Sequence, residues 1–138
     1  IDTHAHIYHP PFDQDRDQML LRAKEAGVSA IVMPNINVES IQGMLDLSTR
    51  YPNFCFATMG LHPCDVTDDY KMVLDHMHQL LSESDSFVAI GETGLDLYWR
   101  KDNLPQQIQA FRIQAEWSVS FDLPIIIHAR DSGDEILK

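Results

Sequence analysis

Phe87-Val88-Ala89-Ile90-Gly91-Glu92-Thr93-Gly94-Leu95-Asp96 sets an apolar run directly against a carboxylate. Four consecutive apolar residues without alternation read as a strand covered on both faces, as strands of a parallel sheet are. Gly91 reads as the end of that strand. Glu92 then stands at the mouth of the core, where an ionised carboxylate is costly unless a cation compensates it.

The same pattern recurs in both directions from this stretch. Toward the N-terminus, Phe54 to Met59 reads as a strand closed by Gly60 and followed by Leu61-His62-Pro63. Ala30 to Met33 reads as another, closed by Pro34, and Ile1 to Thr3 as a strand end leading into His4-Ala5-His6. Toward the C-terminus, Pro124 to Ile127 reads as a strand followed by His128-Ala129-Arg130-Asp131. Between these runs lie amphipathic segments. Arg16 to Ala26 reads as a helix with Met19, Leu20, Ala23 and Ala26 on one face and Gly27 as its stop. Glu39 to Tyr51 is closed by Pro52, and Tyr70 to Leu81 is a third helix. A fourth runs from Pro105, at a first helical position, to about Phe121, and a last one starts near Ser132. Strands alternating with helices predict a parallel α/β fold. An open doubly wound sheet and a barrel both satisfy that order, and periodicity does not choose between them; the position of the polar residues does.

Composition narrows the class. The chain has 138 residues, 44% of them hydrophobic and 22% charged, which describes one globular domain spanning 1–138. No apolar run approaches the roughly 20 residues a membrane helix needs. The N-terminus lacks a signal-peptide pattern. Cys55 and Cys64 lack a CxxC spacing and read as reduced thiols of a cytoplasmic protein. A net charge of −11 excludes a surface that holds nucleic acid by bulk electrostatics. A phosphate substrate would need cations or a few placed arginines. No glycine-rich phosphate loop, G-x-S-x-G elbow or activated cysteine is found.

In parallel α/β folds chemistry collects where strands end, and four of the seven histidines lie there, with Glu92. Residues two apart on a strand point to one face, so His4 and His6 can converge on one cation through neutral imidazoles. Alone, H-x-H also suits two polar loop residues. His76-Met77-His78 repeats the spacing on a helix, where such residues do not face each other, and reads as solvated. Glu92 suits a carboxylate bridging two metals. His128 suits a ligand or a core histidine bonded to the backbone. Arg130 suits an anion contact or a surface ion pair. Tyr98-Trp99-Arg100-Lys101 suits base stacking and phosphate holding, or aromatic packing on the rim.

Asp2-Thr3-His4-Ala5-His6, Gly60-Leu61-His62-Pro63, Ile90 to Asp96 and Pro124 to Asp131 resemble, in order, the signatures of TatD-like deoxyribonucleases of the amidohydrolase superfamily. The resemblance runs the full length of the chain. It implies a (β/α)₈ barrel of which this chain supplies about the first five βα units. It also implies one or two divalent cations, magnesium first, with manganese or zinc compatible. His4 and His6 would bind one metal, Glu92 would bridge and serve catalysis, and His128 would bind the second. His62 and Arg130 would contact substrate, as Trp99 and Arg100 would from their loop. The implied activity is trimming of DNA from the 3′ end, with nucleic acid as substrate and neither a membrane nor an obligate protein partner indicated. Amide or ester hydrolysis, including D-aminoacyl-tRNA deacylation, and an inactive barrel fragment are the alternatives. The family also uses a histidine after the sixth strand and an aspartate after the eighth, so the chain is expected to be the N-terminal part of a longer protein. An open half barrel would expose strand edges.

Overall fold

In the computed structural model, which describes residues 1–137, the apolar runs form parallel strands wrapped by helices. The elements are α1 (Arg16–Glu25), β1 (Ile31–Met33), α2 (Val38–Arg50), β2 (Cys55–Met59), α3 (Tyr70–Ser82), β3 (Phe87–Asp96), α4 (Leu104–Ser120), β4 (Ile125–Arg130) and α5 (Gly133–Ile136). Among the described residues the sheet has the order β1-β2-β3-β4, every neighbouring pair parallel. Such consecutive parallel pairing is the arrangement of half a barrel, in place of the reversal of strand order that marks a doubly wound sheet.

The segment expected to open the sheet makes a single bridge, Asp2 with Ile31, extended by the Ala5 N–H to the Val32 carbonyl at 3.2 Å. It lies parallel to β1 without building a ladder of its own. Lys138, read as part of the last helix, lies outside the described residues.

The helices bury the faces their spacing prescribes. On α3, Tyr70, Leu74, Met77 and Leu81 are buried; on α2, where the sequence offers Ile41, Leu45 and Leu47, the buried residues are Ile41, Met44 and Leu47, and Leu45 is half-buried. Asn37 starts α2 with a reciprocal cap, its side chain accepting from the Ser40 N–H and the Ser40 hydroxyl from the Asn37 N–H. On α1 the buried residue is Leu20, with Met19 and Ala23 half-buried and Ala26 exposed at the cap, so that stripe is narrower than expected.

Two strand boundaries differ from the sequence reading. β3 does not end at Gly91 but continues to Asp96, and β4 does not end at Ile127 but continues to Arg130. Glu92 and His128 therefore sit inside strands. The physical reason lies in the glycines. A Cβ on Gly94, whose φ is +140°, would lie 2.1 Å from the His128 carbonyl oxygen, and one on Gly60 would lie 2.6 Å from the Gly91 carbonyl carbon. These glycines let β2, β3 and β4 approach one another at the level of the polar residues. They read as stops in the sequence because a strand-ending glycine and a close-approach glycine look alike there.

Candidate metal centre

Five side chains from four parts of the chain meet where the strands open. Glu92, 4% exposed, projects from β3. Its Oε2 lies 3.0 Å from His4 Nε2 and 3.3 Å from His6 Nε2, and those two nitrogens are 3.2 Å apart. Its Oε1 lies 2.9 Å from His128 Nδ1 and 3.9 Å from His62 Nε2. Burial alone would push the Glu92 carboxyl up. Its close contacts with His6 and His128, together with the fields of His4 and His62, outweigh that and hold it at about 2. Glu92 is thus an anion throughout the neutral range, with each oxygen turned to a different histidine pair.

The donor set fits a cation on geometric grounds. With metal–ligand bonds of about 2.1 Å, donors spaced as His4 Nε2, His6 Nε2 and Glu92 Oε2 are would subtend about 90–105° at a common centre. That range covers octahedral and near-tetrahedral coordination. The His4–His6–Glu92 and His62–Glu92–His128 groups each bring their ligand-type atoms within 4.8 Å of one another.

Hydrogen bonds select which nitrogen of each ring has a lone pair to offer. His6 Nδ1 lies 3.0 Å from the Pro34 carbonyl, which can only accept, so the neutral ring carries its proton on Nδ1 and turns the Nε2 lone pair toward His4 and Glu92. The Tyr8 hydroxyl donates to the same carbonyl at 2.5 Å, and burial raises the Tyr8 phenol well above its ordinary range, keeping that proton in place. His62 behaves differently. Its Nδ1 accepts the Cys64 N–H at 3.1 Å, so neutral His62 carries its proton on Nε2 and faces Glu92 and His128 as a donor. Burial, with His128 beside it, lowers the His62 pKa against the opposing pull of Glu92, Asp65 and Asp96, which favours the neutral ring. His62 has the chemistry of a pocket donor rather than of a ligand.

Residues that the sequence reading gave no role hold the loops in place. Asn35, fully buried, links three elements: its N–H donates to the Gly91 carbonyl at 3.1 Å, its carbonyl accepts the Glu92 N–H at 3.0 Å, and its side chain donates to the Gly60 carbonyl at 2.8 Å. α4 contributes Gln114 and Gln107, two turns apart and both fully buried. Gln114 Oε1 accepts the Leu61 N–H at 2.7 Å, ahead of His62, and Gln107 Oε1 accepts the Asp96 N–H at 2.8 Å. The Arg16 guanidinium donates to the carbonyls of Ile7, Tyr8 and His9, clasping the turn that follows His6. Asp96 itself touches His128 Nε2 at 3.0 Å. Three of these carried a signal in the sequence. Glutamines seven residues apart on an otherwise apolar helix face are polar residues at core positions, and Asp96 closes the stretch that decides the fold.

The remaining expected residues are placed as follows. The Arg130 guanidinium lies over the Tyr98 ring at 4.1 Å and near Trp99 at 5.5 Å. Trp99 is 65% exposed and is tied to the centre by its N–H, which donates to Asp96 Oδ1 at 2.7 Å. Arg100 turns to Asp102 at 3.3 Å, and its carbonyl accepts from Gln107; none of these contacts joins it to the histidines. His76 and His78 are exposed, as a helical i, i+2 pair should be, although the His78 ring rests 5.6 Å from both Trp117 and Phe121.

A parallel barrel-type sheet with histidines and two buried carboxylates, Glu92 and Asp96, gathered toward its strand ends is the arrangement of the metal-dependent hydrolase class. Within that class the chain belongs to the TatD related DNase family, whose pattern it matches over residues 1–138. It is 34% identical over 136 residues to a protein of Pectobacterium carotovorum named 3′-5′ ssDNA/RNA exonuclease TatD, covering 99% of this chain and 52% of that one. It is 35% identical over 136 residues to Bacillus subtilis YabD, named an uncharacterized metal-dependent hydrolase, with the same coverage of 99% and 52%. The crystal structure of the TatD homologue YjjV from Escherichia coli superimposes with a TM-score of 0.89 at 33% identity, over 98% of this chain and 52% of that one. The chain therefore spans about half the length of the curated relatives it matches.

Proposed function

We propose that the protein is a metal-dependent phosphodiesterase that removes nucleotides from the 3′ end of a nucleic-acid strand. The observation that carries this reading is Glu92, whose two oxygens address His4 with His6 on one side and His128 on the other. The names of the relatives, nucleases acting on single-stranded DNA or RNA and metal-dependent hydrolases, point the same way. Magnesium is the proposed physiological ion, and the nitrogen-rich donor set also suits manganese or zinc.

Each side chain has a part. His4, His6 and Glu92 would hold one cation, and Glu92 with His128 a second. Divalent cations, when bound there, offset charge developing on a phosphate and acidify water. His62 would donate its Nε2–H to a phosphate oxygen. Arg130, backed by Tyr98, would present its guanidinium to the substrate backbone, and Trp99 would stack on the terminal base. Charge fits this division of labour: a chain of net charge −11 needs cations and a local arginine to approach a polyanion. Cys55 and Cys64, both free, fit a reducing cytoplasm.

The test uses the full-length protein on single-stranded DNA labelled at its 5′ end, with and without magnesium, and on the same strand blocked at its 3′ terminus. Stepwise shortening that needs the metal and stops at the block is the expected result. No shortening with magnesium, manganese or zinc would remove the nuclease reading. Activity on an ester or amide panel without action on DNA would replace it with hydrolysis of small substrates, which the acidic net charge also suits.

A further inference from the structure

His128 stands between two carboxylates, with Nδ1 2.9 Å from Glu92 Oε1 and Nε2 3.0 Å from Asp96 Oδ2. A neutral imidazole has one N–H to give. The carboxylate that receives it decides whether Nδ1 keeps a lone pair.

Three observations select Asp96. First, His62 presents an Nε2–H to His128 Nδ1 at 3.2 Å, and a donor there requires an acceptor. Second, Asp96 is 1% exposed, and its two oxygens are divided: Oδ1 accepts the backbone N–H groups of Tyr98 at 3.0 Å and Trp99 at 2.7 Å, and Oδ2 faces His128 Nε2 at 3.0 Å. Third, Glu92 has another imidazole nitrogen beside it, His4 Nε2 at 3.0 Å from Oε2. An anion buried as deeply as Asp96 is costly without a donor on each oxygen.

We infer that Asp96 is a positioning residue that fixes His128 in its Nε2–H form and so reserves Nδ1 for a cation shared with Glu92 Oε1. The cation in this statement rests on the proposed metal centre; the proton position does not, because it belongs to the chain's own hydrogen bonds. The same contacts specify what Asp96→Asn would do. Two backbone N–H groups claim the Oδ1 position, so the asparagine oxygen settles there and its NH₂ faces His128 Nε2. A donor at that place moves the ring proton to Nδ1, where it obstructs a cation. The two side chains are nearly the same size, so packing is preserved.

The intact protein, ¹⁵N-labelled at histidine and free of metal, is examined by long-range ¹⁵N–¹H correlation above the pH at which imidazole titrates. Wild type is expected to show the His128 proton on Nε2, and D96N to show it on Nδ1. Zinc titration by calorimetry is expected to weaken about ten- to a hundredfold for one ion in D96N, while the ion held by His4 and His6 keeps its affinity. A wild-type proton on Nδ1 would overturn the inference without any variant, as would a D96N protein with unchanged tautomer and unchanged zinc binding. If the proton follows Asp96 as expected but wild type binds no zinc, the positioning role stands and the metal-centre reading fails.

Discussion

The two sides of Glu92 are built by different means. On one side His4 is exposed and His6 half-buried, on a segment that contributes only a bridge to the sheet. The tautomer of His6 is set by a backbone carbonyl, that of Pro34. On the other side His128 lies within β4, pressed against Gly94 of β3, and its tautomer is set by a buried side chain. A carbonyl acceptor survives every side-chain substitution at its own position, whereas a carboxylate acceptor is lost with one. The first side is therefore mutationally robust but open to solvent, and the second is rigid but depends on a single residue. The nitrogens turned to Glu92 differ accordingly: Nε2 for His6 and Nδ1 for His128.

Three substitutions test this contrast, in descending order of effect. Glu92→Gln removes the one group common to both sides. Metal-dependent nucleotide release is expected to fall about a thousandfold or more, with zinc stoichiometry reduced in calorimetry; loss of only one ion would show that the sides do not share the carboxylate. Gly94→Ala attacks the rigid side alone, because the added Cβ meets the His128 carbonyl and φ is +140°. A loss of about 3 kcal/mol in urea unfolding of the intact protein is expected, and a loss under about 1 kcal/mol would mean that β3 and β4 separate easily. Tyr8→Phe trims the robust side. Pro34 keeps His6 Nδ1–H as a donor, so zinc affinity there is expected to change by less than about fivefold. A loss of more than about a hundredfold would show that the phenol, not the carbonyl, sets the ring.

Much of this architecture was legible in the residues. Unbroken apolar runs such as Phe87 to Ile90, separated by amphipathic segments, bury their surface in a parallel sheet under helices, and polar residues directly after such runs collect toward the C-terminal end of that sheet. That physics is local, so it survives without coordinates, and it brought His4, His6, His62, Glu92 and His128 to one rim. The exact ends of β3 and β4 were not legible, because Gly91 and Gly94 are recognisable as close-approach residues only when the neighbouring strand is in place. Nor were the hydrogen bonds of Asn35, Gln107, Gln114 and Asp96, whose partners lie far along the chain or across a turn. By itself the sequence determined that His4, His6, His62, Glu92 and His128 gather at one rim. Which nitrogen each histidine turns inward was decided by the tertiary structure alone, since the two ring nitrogens of a histidine differ only through the neighbours that folding puts beside them.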